Sequence, residues 1–185
     1  MSQLKMEYRD LSEIPEVPVP EGYRVRHYRE GDEAGLSRVF ASGDLGMETP
    51  EQVREKLIEH PCFTPERLIV VERDGEIVAT ASAWVNETDP SKGYLHMVGV
   101  LDGHRGKRLG ALVTAEALKY HRSKGFRAQQ LNTDDFREAA IKLYLDFGFV
   151  PVCTDETHPG RWAVLADKLG RQGILDKAVV PCEES

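Results

Sequence analysis

What this chain lacks narrows it before any motif is considered. No apolar run approaches the roughly 20 residues of a membrane-spanning helix. The start, MSQLKMEYRD, has no secretory apolar core. Both observations lead us to expect a cytoplasmic protein without a membrane partner. Cysteine is scarce: Cys62, Cys153 and Cys182 form no CxxC pair and show no ligand-like spacing. They read as free thiols in a reducing compartment, with no metal site expected. Positive charge is in deficit, since 24 Lys and Arg stand against 31 Asp and Glu for a formal net charge of −7. That balance argues against a nucleic-acid partner. There is no GxxxxGK[ST] loop and no GxGxxG, so a nucleotide-binding interaction protein is a weak alternative. Repeats and low-complexity tracts are missing too. At 185 residues, 41% hydrophobic and 30% charged, the chain suits one soluble domain with a sizeable core.

The most informative stretch is Tyr94–Phe126. Tyr94–Leu101 is apolar and partly β-branched, as a buried strand should be. His104-Arg105-Gly106-Lys107-Arg108-Leu109-Gly110 follows. A helix then carries Leu109, Leu112, Val113, Ala117 and Tyr120 on one stripe and closes at Lys124-Gly125. A helix N-terminus with orphan N–H groups, glycines and cations nearby suits a phosphorylated ligand. The bland alternative is a strand–turn–helix crossover with a solvated basic loop.

A second segment, Asp134–Pro151, places Ala140, Leu143, Tyr144 and Phe147 on one helical face. Asp134 or Asp135 is the expected N-cap and Gly148 the stop, with Phe149–Val152 resuming as a strand. Together the two segments resemble the GCN5-related N-acetyltransferase family. Arg105–Gly110 is similar to its pyrophosphate motif Arg/Gln-x-x-Gly-x-Gly/Ala, with Arg108 where glycine is usual. Arg137, Ala140, Tyr144, Gly148 and Phe149 follow its later helix pattern, with Arg137 in place of asparagine.

The resemblance implies an α/β fold, a mixed and mainly antiparallel sheet flanked by helices. It implies acetyl-CoA as acyl donor and an amine as acceptor, with no metal, and transfer by direct attack. Cofactor contacts would come from Met97, Val98, Gly99 and Val100, from Arg105, Gly106, Lys107, Arg108, Leu109 and Gly110, and from Arg137 and Tyr144. The Val98 N–H would polarise the thioester carbonyl as an oxyanion hole does. Tyr144 would be the general acid toward the departing thiolate, against a core-aromatic reading. His96 is the candidate base. With Val98 and Val100 on its face it would point with them to one side of the sheet; the alternative is a buried, satisfied histidine. His104 would support the loop. Glu87 and His158 are candidates to line the acceptor pocket, and Asp155-Glu156 reads as a solvated loop. A non-catalytic acyl-CoA-binding module is the competing class. A homodimer is compatible with the pattern and not required by it.

The rest arranges itself around these motifs. We expect an acidic, proline-containing arm over 1–22, the domain over 23–169 and a tail over 170–185. Tyr23–Tyr28 reads as the first strand, and a helix follows Asp32. Thr49-Pro50 starts another helix, with Gln52 completing a capping box. Leu68–Glu72 and Glu76–Val85 form a hairpin about Arg73-Asp74-Gly75. Asn86–Gly93 reads as a polar loop. Phe126–Leu131 and Trp162–Leu165 read as strands, and Ile174–Val179 as helical.

Overall fold

The computed structural model describes residues 2–180. Cys182 lies outside them, while Cys62 and Cys153 are free thiols. One seven-stranded sheet has the order β2-β3-β4-β5-β6-β1-β7. Its strands are β1 (Leu4–Tyr8), β2 (Arg24–His27), β3 (Leu68–Arg73), β4 (Glu76–Val85), β5 (Gly93–Val100), β6 (Gln129–Thr133) and β7 (Val150–Val152). Every pairing is antiparallel except β5 with β6. The expected mixed, mainly antiparallel architecture is what forms.

Each sheet face carries its own core. Helix α3 (Leu109–Ser123) buries Leu109, Leu112, Val113 and Ala117 against Leu95 and Leu131. Helix α4 (Glu138–Phe147) and helix α5 (His158–Leu169) cover the same side with Ile141, Phe147 and Trp162. On the other face α1 (Glu33–Ser42) and the short α2 (Pro50–Val53) pack Leu36, Val39, Phe40 and Val53 against Trp84 and Met97. In β3, Ile69 and Val71 join the first core while Leu68 and Val70 join the second, as strand alternation requires.

Several local expectations hold for the reasons stated. Thr49 accepts from the Gln52 N–H and Gln52 bonds back to Thr49, a complete capping box. Asp74 and Gly75 both take positive φ, 50° and 82°, the twist a two-residue hairpin needs. Gly148 ends α4 in the left-handed region.

Other expectations are corrected. The segment expected as an arm supplies β1, inserted between β6 and β7. Leu4 and Met6 are fully buried, and Glu7 is held by Lys92 and Gln130, each at 2.8 Å. Trp162–Leu165 is not a strand but the middle of α5, which has Pro159 in its first turn and a left-handed Gly170 at its end. Trp162, Leu165, Ala166 and Leu169 form its apolar stripe. The strand expected at Phe126–Leu131 begins later, at Gln129. Neither Asp134 nor Asp135 caps α4; Asp135 pairs with Arg161 instead, at 2.7 Å. Ile174–Lys177 is a single 3₁₀ turn, and Val179 bridges to Val152. Among the described residues no helix is long and apolar enough to cross a membrane.

Candidate functional site

The site begins with a strand that leaves its neighbour. β5 and β6 pair only at Gly93 with Gln129 and Tyr94 with Gln130, then diverge. Beyond Tyr94 that edge of β5 has no strand partner among the described residues. The other edge stays paired to β4 but slips by one residue between Ser82–His96 and Thr80–Gly99. Met97 and Val98 thus lie opposite Ala81 alone, a β-bulge, and Met97 takes φ 53°. Past the bulge, Leu101 donates its N–H to the Val78 carbonyl on β4 at 2.9 Å. By alternation, Val98 and Val100 turn their backbone groups to the open edge.

The bulge also reverses side-chain parity. His96 lies with Tyr94 and Trp84 on the α1 side, with ring centroids 5.8 and 6.0 Å away. Val98 and Val100 pack on the α3 side. The expected common face for His96, Val98 and Val100 therefore does not exist. Gly99 owes its identity to packing: an added Cβ would stand 2.8 Å from Val39 Cγ1 of α1.

A cleft of about 960 Å³ opens along this edge. Val98, Gly99 and Val100 form its floor, Arg105, Gly106, Arg108, Leu109 and Gly110 one end, and Ala140, Leu143 and Tyr144 of α4 the facing wall. Lys107 does not border it and donates to the Gly103 carbonyl at 3.2 Å. The structure thus brings together most of the residues singled out from the sequence. A second cavity of about 320 Å³ shares Arg108, Leu143 and Asp146 with it and is also lined by Pro15 and Val17.

Arg105-Gly106-Lys107-Arg108 is exposed. Arg105 lies 2.7 Å from Asp102, an exposed pair that contributes little. Arg108 adopts the left-handed conformation, φ 60° and ψ 17°, at the N-cap of α3. The backbone geometry for which glycine is usual is thus kept by an arginine, at a conformational cost. The first bond from α3 runs from Leu112 N–H to the Arg108 carbonyl, leaving the preceding amides of the helix start open.

Tyr144 is 6% exposed and borders the cleft. Among the described residues its hydroxyl makes no hydrogen bond. Burial pushes the phenol well up, partly opposed by the nearby Arg137 charge. It therefore stays protonated across the physiological range. Burial pushes His96 down to about 4, with His60 adding to the effect, so it is neutral at pH 7.

Arg137 does something its position in the motif did not suggest. Its guanidinium donates to the Gly43 and Asp44 carbonyls at 2.9 and 2.8 Å, and to Asp134 at 3.2 Å. Those carbonyls belong to the loop after α1, so Arg137 ties two walls of the cleft together. Few of its donors are left for a ligand. His158 is fully buried, bonded to the Thr154 N–H and to Ser2, and does not border the cleft. Glu87 lies in the 86–92 loop, exposed and outside the cleft. Asp155 is engaged by Thr157 and Ser2, whose hydrogen bonds hold its carboxyl down at about 2. Sequence reasoning missed the Ser42–Asp44 loop as a cleft wall, because nothing local links it to α4.

The chain is similar to known proteins in sequence and in fold. The profile of the Acetyltransferase (GNAT) family matches residues 36–149. The mycothiol acetyltransferase of Thermomonospora curvata is 33% identical over 150 residues, covering 78% of this chain and 50% of that protein. That of Frankia alni is 30% identical over 178 residues, covering 87% and 53%. The chain spans about half the length of these relatives. Among solved structures, a GCN5-related N-acetyltransferase from Sphaerobacter thermophilus has a TM-score of 0.64 at 22% identity, covering 82% of this chain and 49% of that one. The diaminobutyrate acetyltransferase EctA from Paenibacillus lautus, in complex with L-2,4-diaminobutyric acid and coenzyme A, has 0.55 at 16%, covering 68% and 74%. At such identities the structures speak for the fold alone.

Proposed function

The chain belongs to the Acetyltransferase (GNAT) family, and from that premise we propose that it transfers an acyl group, acetyl first, from acyl-CoA to a primary amine. The observation that carries this reading is the open β5 edge beside the basic start of α3, with the Tyr144 hydroxyl on the facing wall. The loop amides and the side chains of Arg105, Lys107 and Arg108 suit a diphosphate. The peptide-like pantetheine arm suits the open edge at Val98 and Val100, where it would add as a strand.

The proposed reaction is direct. The amine nitrogen attacks the thioester carbonyl carbon, and the oxygen charge that develops is met by the Val98 N–H. The C–S bond then breaks, and the thiolate takes the Tyr144 proton. The amine proton leaves through His96 or water. His96 stands on the α1 face with His60, Trp84 and Tyr94, so the acceptor would approach from that side. With its pKa near 4 it is free to accept a proton at pH 7 but is a weak base, which favours relay through water.

The experiment is acetyl-CoA titration followed by an amine panel assayed for CoA release. The relatives' name puts mycothiol-related acceptors first in that panel. Gly110→Asp is the control for the loop. An added Cβ there meets Leu143 at an ordinary 3.6 Å, so the fold should persist while phosphate is repelled. Wild-type affinity in a folded Gly110→Asp variant would show that the ligand sits elsewhere. Binding without transfer to any amine would favour the non-catalytic reading.

A further inference from the structure

We propose that His104 is a phosphate-binding donor of this cleft, oriented by a hydrogen-bond relay from Arg73 through Tyr23. The inference rests on the acyl-CoA reading above and adds a specificity-determining residue to it. His104 closes the 3₁₀ turn that links β5 to the basic loop, its own N–H bonded to Leu101 at 2.9 Å. Its Nδ1 lies 2.9 Å from the Tyr23 hydroxyl. Arg73 donates to that hydroxyl oxygen at 3.2 Å, with its guanidinium 5.1 Å from the Tyr23 ring centroid. The Tyr23 and His104 rings meet edge to face at 88°.

The direction of the relay follows from the donors. Arginine can only donate, so the Tyr23 oxygen accepts from it. The cooperative arrangement sends the Tyr23 hydrogen on to Nδ1. His104 then carries its hydrogen on Nε2, at the opposite edge of the ring from Tyr23. In the imidazolium form the Tyr23 bond reverses, and Nε2–H is still a donor. Either way an N–H points away from the relay. His104 borders the cleft beside Arg105, Gly106 and Arg108, and Nε2 has no protein partner among the described residues. Three elements are tied together to orient one imidazole at the end of the cleft where the cations gather. The acidic neighbour, Asp102, is drawn off by Arg105.

A fixed donor beside the two cations Arg105 and Arg108 suits a phosphate oxygen. In CoA that oxygen belongs either to the 5′-diphosphate or to the 3′-phosphomonoester, and ligand truncation separates the two. Calorimetric affinities would be measured for CoA, dephospho-CoA and phosphate-free pantetheine, on wild type, His104→Ala, His104→Gln and Tyr23→Phe. His104→Ala should weaken CoA about tenfold, the scale of one charge-assisted hydrogen bond. His104→Gln, which keeps a donor near the Nε2 position, should recover most of that. Tyr23→Phe leaves the imidazole in place but unoriented and should lose a few-fold. None of the three should change pantetheine binding.

A His104→Ala loss seen with CoA but not with dephospho-CoA assigns the 3′-phosphate; a loss with both assigns the diphosphate. An equal loss with pantetheine overturns the proposal, because the effect would then be structural. So does wild-type CoA affinity in a folded His104→Ala variant, which leaves the acyl-CoA reading standing. If His104→Ala does not fold, His104→Gln and Tyr23→Phe decide by the same ligand comparison. Wild-type protein that binds no CoA refutes the acyl-CoA reading itself, and this inference with it.

Discussion

Replacing Arg108 by glycine should move stability and affinity in opposite directions. Arg108 sits at φ 60° with its side chain exposed and no ion pair among the described residues. A left-handed conformation costs an L-residue roughly 1–2 kcal/mol, and glycine removes that cost. Glycine is also a better N-cap than arginine by some tenths of a kcal/mol. Against this stands about 0.5–1 kcal/mol for the greater freedom of glycine in the unfolded chain. The net expectation is a gain of about 1 kcal/mol, or about 2–4 °C in Tm for a chain of this size. Affinity should fall, because one cation leaves the phosphate end of the cleft. For an exposed charge contact the loss is on the order of 1 kcal/mol, roughly fivefold in Kd at low salt. It should shrink in 1 M salt, where the Debye length is about 3 Å. Differential scanning calorimetry and CoA titration at two salt concentrations read both quantities from one preparation. A Tm that falls would refute the strain argument. Unchanged or tighter binding at low salt would refute the phosphate contact.

Three further variants test other parts of the site. Tyr144→Phe keeps the ring that packs beside Phe149 and removes only the hydroxyl, so single-turnover acetyl transfer should drop about 100-fold or more with acetyl-CoA affinity little changed; a wild-type rate would leave Tyr144 as core alone. His96 is neutral when folded down to about pH 4, whereas its unfolded counterpart takes a proton near 6.5. The unfolded state therefore binds more protons in that window, and stability falls as pH drops from 6.5 toward 4, by at most about 3 kcal/mol. Urea unfolding at pH 7 and pH 4.5 should show a shallower loss in His96→Gln, and an identical loss would mean that His96 charges freely in the fold. Arg137→Ala should free the Gly43–Asp44 loop, cost about 1–3 kcal/mol of stability and raise KM for acetyl-CoA, while Arg137→Lys, which cannot span both carbonyls, should rescue little; an unchanged KM with normal stability would dismiss the tie between the cleft walls.

Much of the site was legible because its signals are local. The basic glycine loop between a strand and a helix, and the Ala140–Tyr144–Gly148 spacing, each lie within about one turn of helix on either side. So do the Thr49–Gln52 capping box and the Asp74-Gly75 turn. Two misread elements had signals that competing ones outweighed. Leu4, Met6 and Tyr8 alternate with Lys5 and Glu7 as a strand should, yet the prolines at 15, 18 and 20 suggested an extended arm. Trp162, Leu165, Ala166 and Leu169 keep a helical period, but the span expected as a strand, Trp162–Leu165, holds only one turn of it.

The sequence by itself determined which residues carry charge, glycine and phenol at the candidate site, and in what chain order, because those follow from composition and short-range spacing. Only the tertiary structure decided how they face one another. The bulge at Met97 has only Gly99, two residues on, as a local hint of an irregular strand. Its position is set by the pairing of β5 with β4 on one side and its parting from β6 on the other, which hold a methionine at positive φ. That single slipped residue sends His96 and Val98 to opposite faces of the sheet. Likewise Arg137 reaches Gly43, and Tyr23 reaches His104, across 94 and 81 residues of chain. Such contacts exist only once the sheet has brought distant segments together, and no pattern of neighbouring residues encodes them.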